Sequence, residues 1–112
     1  MRILVIDDDP DLLAVTEQRL ASAGFDVLTA SNGGDALAIL TERDVDILFA
    51  DLLMPGMSGL ELAHQAQRRH RHVKVILTSG GVPLDTALPG GMQFLKKPYQ
   101  FADLISAIRK AS

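Results

Sequence analysis

Five short apolar runs of strand length alternate along this chain with stretches that have helical spacing or helix-capping residues. Arg2–Ile6 (RILVI) is a continuous apolar run, the pattern of a strand covered on both faces. Asp9 followed by Pro10 predicts a helix start, an N-cap with proline at the first helical position. That helix runs through Leu12, Leu13, Thr16 and Leu20 to about Ala23, with Gly24 as its stop. Phe25–Thr29 is the second strand candidate. Ser31-Asn32-Gly33-Gly34 then makes a turn and cap before a helix whose apolar face holds Ala36, Leu37 and Leu40. Asp46–Ala50 is the third strand. Ser58 with Glu61 three residues later predicts a capping box for a helix reaching about Arg69. Val73–Leu77 is the fourth strand and Met92–Leu95 the fifth. Phe101, Leu104, Ile105 and Ile108 form one stripe of a final helix. The segment Gly80–Gly91 contains Pro83, Pro89 and four glycines. It admits at most a turn of helix at Asp85–Leu88, so the helix between the fourth and fifth strands is expected to be shortened or irregular.

Strands alternating with helices predict a parallel sheet with helices on both faces, a doubly wound α/β domain. At 112 residues the chain is read as one domain, residues 1–112. It has no cysteine, so thiolate metal sites and disulfides are excluded, which fits a reducing, cytoplasmic setting. No apolar run approaches the length of a membrane span. The net charge of −3 speaks against direct nucleic-acid binding, which demands a basic face. The basic run Arg68, Arg69, His70, Arg71, His72 reads as a solvated helix end and turn.

Ligands of open α/β sheets bind beyond the carboxyl ends of the strands, and polar residues gather there. Asp7-Asp8-Asp9 follow the first strand, Asp51 the third, Thr78-Ser79 the fourth and Lys96-Lys97-Pro98 the fifth. Singly each has a plain structural explanation. Asp9 is an N-cap, Asp7 and Asp8 can face a helix N-terminus, Asp51 can open a turn, Thr78 can be a strand-end hydroxyl and Lys97 a surface charge. Their joint arrival at one edge favours a site. Two carboxylates ~4 Å apart at an effective dielectric near 20 repel by about 4 kcal/mol, so Asp7, Asp8 and Asp51 call for a counter-charge. Mg²⁺ with oxygen ligands supplies one, and Lys97 adds a positive charge suited to an anion. A cation, an ammonium and a hydroxyl around one carboxylate are what phosphoryl transfer to that carboxylate requires.

With those residues the chain resembles a response regulator receiver domain of two-component signalling, over essentially its whole length. The motifs are the acidic pair Asp7-Asp8 in ILVIDDDP, Asp51 before MPGMSG, Thr78, and Lys97-Pro98. The resemblance implies a five-stranded parallel sheet in flavodoxin-like order 2-1-3-4-5. It also implies Asp51 as the nucleophile, with Mg²⁺ held by Asp8, Asp51, the Leu53 carbonyl and, through water, Asp7. Lys97, not Lys96, would meet the phosphoryl group, and the bond before Pro98 is commonly cis in the family. Thr78 would donate to a phosphoryl oxygen while Phe94 holds the switch-aromatic position. The implied partners are a sensor histidine kinase or histidine phosphotransfer protein and a downstream protein that reads the switched surface. The resemblance further implies a phosphoacceptor that is not an enzyme in the ordinary sense but assists its own phosphorylation and dephosphorylation.

Three departures from the family pattern stand out: the short Gly80–Gly91 segment, phenylalanine at position 94, and Leu53 and Gly80 two residues beyond Asp51 and Thr78. The first strand begins at residue 2 and the last helix ends near Ser112, so a stand-alone receiver is the expectation. Two alternatives compete with it. One is a receiver-like binding module that works without phosphorylation. The other is a phosphohydrolase, for which the residues after Asp51 offer no second acid/base carboxylate.

Overall fold

Successive residues of a strand face opposite sides of its sheet, so a sheet of continuous apolar runs needs cover on both. The computed structural model, which describes residues 1–80 and 91–111, has that arrangement. Its elements are β1 (Arg2–Ile6), α1 (Pro10–Ser22), β2 (Asp26–Ala30), α2 (Gly33–Glu42), β3 (Ile47–Asp51), α3 (Gly59–Arg69), β4 (Lys74–Ser79), β5 (Gln93–Lys96) and α4 (Phe101–Ala111). All four pairings are parallel and the strand order is β2-β1-β3-β4-β5, as expected. The short helix expected at Asp85–Leu88 lies outside the described residues.

The two sheet faces carry separate cores. Ile3, Val5, Ile47, Phe49 and Ile76 pack with Leu20 of α1 and with Leu104, Ala107 and Ile108 of α4. Leu4, Ile6, Leu48, Ala50, Val75 and Leu77 pack with Ala36 and Leu40 of α2 and with Leu62, Ala63 and Ala66 of α3. Helix starts follow the sequence. The Asp9 carboxylate accepts from the Asp11 and Leu12 N–H groups, Asn32 Oδ1 accepts from Asp35, and Ser58 Oγ accepts from Glu61.

Four strands are displaced toward the C-terminus relative to their apolar runs. β2, β3, β4 and β5 begin one residue later than the runs at Phe25, Asp46, Val73 and Met92. Backbone bonds supply the reason for two of them. The Phe25 N–H returns to the Leu20 carbonyl (3.2 Å) and the Val73 N–H to the His70 carbonyl (3.0 Å), so both residues close the preceding turn. At the other end the ladder continues through polar residues, pairing Asp51 with Thr78 and Ser79 with Lys96. Hydrophobicity marks burial, whereas the ladder follows backbone pairing.

Arg2 fastens the opposite end of the sheet. Its N–H donates to Asp46 (2.8 Å), its Nε to Asp26 (2.8 Å) and its Nη1 to the Asp44 carbonyl (3.1 Å).

Candidate functional site

Parallel register brings the polar strand ends together. Ile6 pairs with Ala50, so Asp7 leaves β1 level with Asp51, and Asp51 pairs with Thr78. Asp7 is 7% exposed and its Oδ1 accepts from the Asp9 N–H at 2.9 Å. Asp8, next along the chain, is exposed. Asp51 accepts from the Leu53 N–H through Oδ1 (3.1 Å) and from Lys97 Nζ through Oδ2 (3.0 Å). The same ammonium lies 3.8 Å from Asp7 Oδ2. Lys97 is held in turn by its own N–H, which donates to the Ser79 carbonyl at 3.0 Å. The Lys97–Pro98 bond is cis. Lys96 is exposed and makes no ion pair with Asp7, Asp8 or Asp51.

One oxygen each from Asp7, Asp8 and Asp51 lie within 4.8 Å of one another. Three carboxylates face a single ammonium, so the cluster carries uncompensated negative charge. Burial pushes the Asp7 carboxyl above its ordinary pKa, assisted by Asp51 and Asp8 and opposed by the Asp9 N–H and Lys97. Burial lowers the pKa of Lys97, but the Asp51 hydrogen bond and the charges of Asp51 and Asp7 outweigh it and hold the ammonium above its ordinary value. An all-oxygen donor set with excess negative charge fits a hard divalent cation such as Mg²⁺.

Thr78 is buried, and its hydroxyl donates to the Leu95 carbonyl of β5 at 2.6 Å rather than toward Asp51. Phe94 is half-buried against the α2–α3 core. Leu53 is 65% exposed beside the acceptor. Gly59 opens α3 against the end of β3, where its N–H donates to the Leu52 carbonyl at 2.9 Å. A Cβ there would lie 2.9 Å from both the Asp51 carbonyl carbon and Leu52 Cα, and nearer still to the Asp51 oxygen.

Sequence reasoning passed over Tyr99. Its ring packs edge-on against Phe49, with centroids 6.0 Å apart, and its hydroxyl meets Thr16 of α1. Burial raises its phenol pKa, and it feels the charges of Lys97, Asp7 and Asp51. Its place two residues after Lys97 was the available signal. Tyr99 borders a groove of about 540 Å³ between α1 and the β5–α4 connection, walled by Leu12, Val15, Pro98 and Phe101. Arg19 lies over the Phe101 ring at 5.2 Å.

The family described as response regulator receiver domain matches residues 3–109. This chain belongs to that family. Among relatives, the DNA-binding transcriptional regulator NtrC of Salmonella typhimurium is 34% identical over 97% of this receiver. The receiver spans 24% of NtrC, about a quarter of that relative's length. A receiver domain protein from Clostridium thermocellum superposes with TM-score 0.91 at 34% identity, covering 98% of this chain and 92% of that one. The response regulator TrrA of Thermotoga maritima, solved in complex with Mg²⁺-BeF, gives 0.89 at 29% identity, with 99% and 98% covered. The expected class, a phosphorelay receiver, is therefore established, and the phosphorylation-independent binding module is not favoured. Among the described residues no helix is long and apolar enough to cross a membrane.

Proposed function

We propose that Asp51 is the phosphoacceptor of this receiver, with Lys97 and Thr78 meeting the transferred group and Asp7, Asp8, Asp51 and the Leu53 carbonyl holding Mg²⁺. One observation carries the reading: Lys97 Nζ sits 3.0 Å from Asp51 Oδ2 while oxygens of Asp7 and Asp8 converge on the same carboxylate. When bound, Mg²⁺ would neutralise charge on the phosphoryl oxygens. The protein's own share is positioning. The Leu53 N–H fixes the Asp51 carboxylate, and the Lys97 ammonium provides a charge that can move from the carboxylate to a phosphoryl oxygen. As the donor's bond to phosphorus breaks, a bond from an Asp51 carboxylate oxygen to phosphorus forms.

The donor is a histidine kinase or histidine phosphotransfer protein; TrrA has been solved with the histidine kinase ThkA. The apolar groove beside Lys97 and Tyr99 offers such a protein a surface next to the acceptor. Switching follows from Thr78. To reach a phosphoryl oxygen its hydroxyl must leave the Leu95 carbonyl, which frees β5 beside Phe94 and alters the surface a downstream protein reads.

The test is intact mass after treatment with acetyl phosphate and Mg²⁺. Wild type should gain one phosphoryl group and Asp51→Asn none. Equal labelling of the two proteins would remove Asp51 from the role.

A further inference from the structure

The basic run near the end of α3 is more than a solvated helix end. The α3 helix stops at Arg69, so the negative helix C-terminus accounts for Arg68 and Arg69 only. Arg71, His72 and Lys74 continue the run through the turn and into β4. Arg68, Arg69, Arg71, His72 and Lys74 are exposed, and none of the four permanent cations makes an ion pair among the described residues. No Asp or Glu occurs from residue 62 to residue 84. The chain as a whole carries −3, so without these four cations the remainder carries −7. Across the sheet the corner borders Asp46, whose carbonyl accepts the Lys74 N–H and whose carboxylate is already taken by the Arg2 N–H, so the four cations form a basic corner beside that acidic neighbour.

We propose that this α3–β4 corner is a docking surface for an acidic polypeptide segment, one presenting three or four carboxylates in a short stretch. Three of the four cations are arginines, whose planar guanidinium matches a carboxylate with two parallel hydrogen bonds. The corner favours this occupant over other polyanions. A nucleic acid would extend past it onto the acidic remainder, and among the described residues no exposed aromatic ring other than histidine imidazoles stands ready to stack a base. A membrane surface would find no apolar side chain to insert, since Val73, the one apolar residue between Arg68 and Lys74, is 1% exposed.

The corner also lies away from the acceptor. Lys74 pairs with Ile47 at the start of the β3–β4 ladder and Thr78 with Asp51 at its end, about 13 Å further along at the usual strand rise. An acidic segment docked at the corner leaves the phosphoryl site open.

The experiment uses the full chain and a fluorescein-labelled octa-glutamate peptide, followed by anisotropy at low ionic strength and by amide chemical-shift mapping. Wild type should bind saturably, with shifts centred on residues 68–74 and with affinity falling as salt is raised. Arg68→Glu/Arg71→Glu should weaken binding at least tenfold, whereas Lys110→Glu, an exposed cation on α4, should change it less than twofold. Each variant reverses a cation in the last turn of a helix and should melt a few degrees below wild type, while still accepting a phosphoryl group from acetyl phosphate at the wild-type rate. Equal weakening by the two variants, shifts outside the corner, or tighter binding of duplex DNA or of phosphatidylserine vesicles than of the peptide would each overturn the proposal.

Discussion

Replacing Asp7 by asparagine should make the Mg²⁺-free protein more stable, an unusual outcome for a buried charged group. Asp7 is nearly enclosed and has two carboxylates within 4.8 Å against one ammonium at 3.8 Å. At an effective dielectric of about 40, unit charges at the first distance repel by about 1.7 kcal/mol and those at the second attract by about 2.2 kcal/mol. The Asp51 and Lys97 contributions nearly cancel, and Asp8 is exposed and damped by solvent, so the net repulsion on Asp7 is at most a few tenths of a kcal/mol, and desolvation is the larger cost. The carboxamide oxygen introduced by Asp7→Asn can still accept from the Asp9 N–H, so the local turn survives. A gain of about 1–2 kcal/mol corresponds to roughly 3–10 °C in Tm for a domain of this size. The pH dependence has the same sign. A carboxyl whose folded pKa lies above its ordinary 3.8 is most favourable to folding when protonated, and that contribution is lost as pH rises through the folded value. Ionised Asp7 therefore costs stability at neutral pH. Mg²⁺ should reverse the order. At ten times its dissociation constant it stabilises wild type by about 1.4 kcal/mol, and Asp7→Asn should gain much less. Calorimetry with EDTA and then with a Mg²⁺ series reads both effects. If Asp7→Asn melts below wild type in EDTA, or responds equally to Mg²⁺, the electrostatic account of the cluster is wrong.

Three further outcomes follow from the site. Gly59→Ala must push α3 away from the β3 end by about 1 Å to clear the Asp51 carbonyl oxygen, the tightest of the contacts a Cβ would make, at a cost of roughly 1–3 kcal/mol. Urea denaturation should show that loss together with slower phosphorylation, and a wild-type midpoint would refute it. Lys97→Ala should still accept a phosphoryl group but lose most of the amide shifts that phosphorylation produces at Phe94 and Leu95; shifts of full wild-type size would contradict the role given to the ammonium. Both Lys97 and Tyr99 have folded pKa values above their ordinary 10.5 and 10.0, so what they contribute is complete below about pH 10 and is lost as pH rises through the folded values. Thermal stability should fall above about pH 10, and phenolate absorbance of Tyr99, the one tyrosine, should titrate later than in a denatured control.

Much of the architecture was legible because both signals that specify it are local. Continuous apolar runs declare strands covered on both faces, and Asp9, Asn32 and Ser58 declare where helices begin. The candidate site was legible for a related reason: strand ends of a parallel sheet share one edge, so residues 46 positions apart could be assigned to it before any distance was known. What escaped was set by backbone approach and by burial from a distance. Nothing local distinguishes Gly59 from an ordinary first-turn glycine until the Asp51 carbonyl is placed against it. Tyr99 reads as one aromatic among several until Phe49 and Thr16 enclose it. The strand displacements belong here too, since the Phe25 and Val73 amides are committed to turns that apolarity does not reveal.

The Arg2 clasp gives the domain a fixed base and an adjustable rim. Arg2 of β1 is bonded to Asp26 of β2 and to Asp44 and Asp46 just before β3, at the end of the sheet farthest from Asp7 and Asp51. A phosphoryl group would act at the other rim, so the two ends resemble the handle and the tines of a fork. Losing Arg2 should loosen the handle and lower the melting point without changing what the tines report.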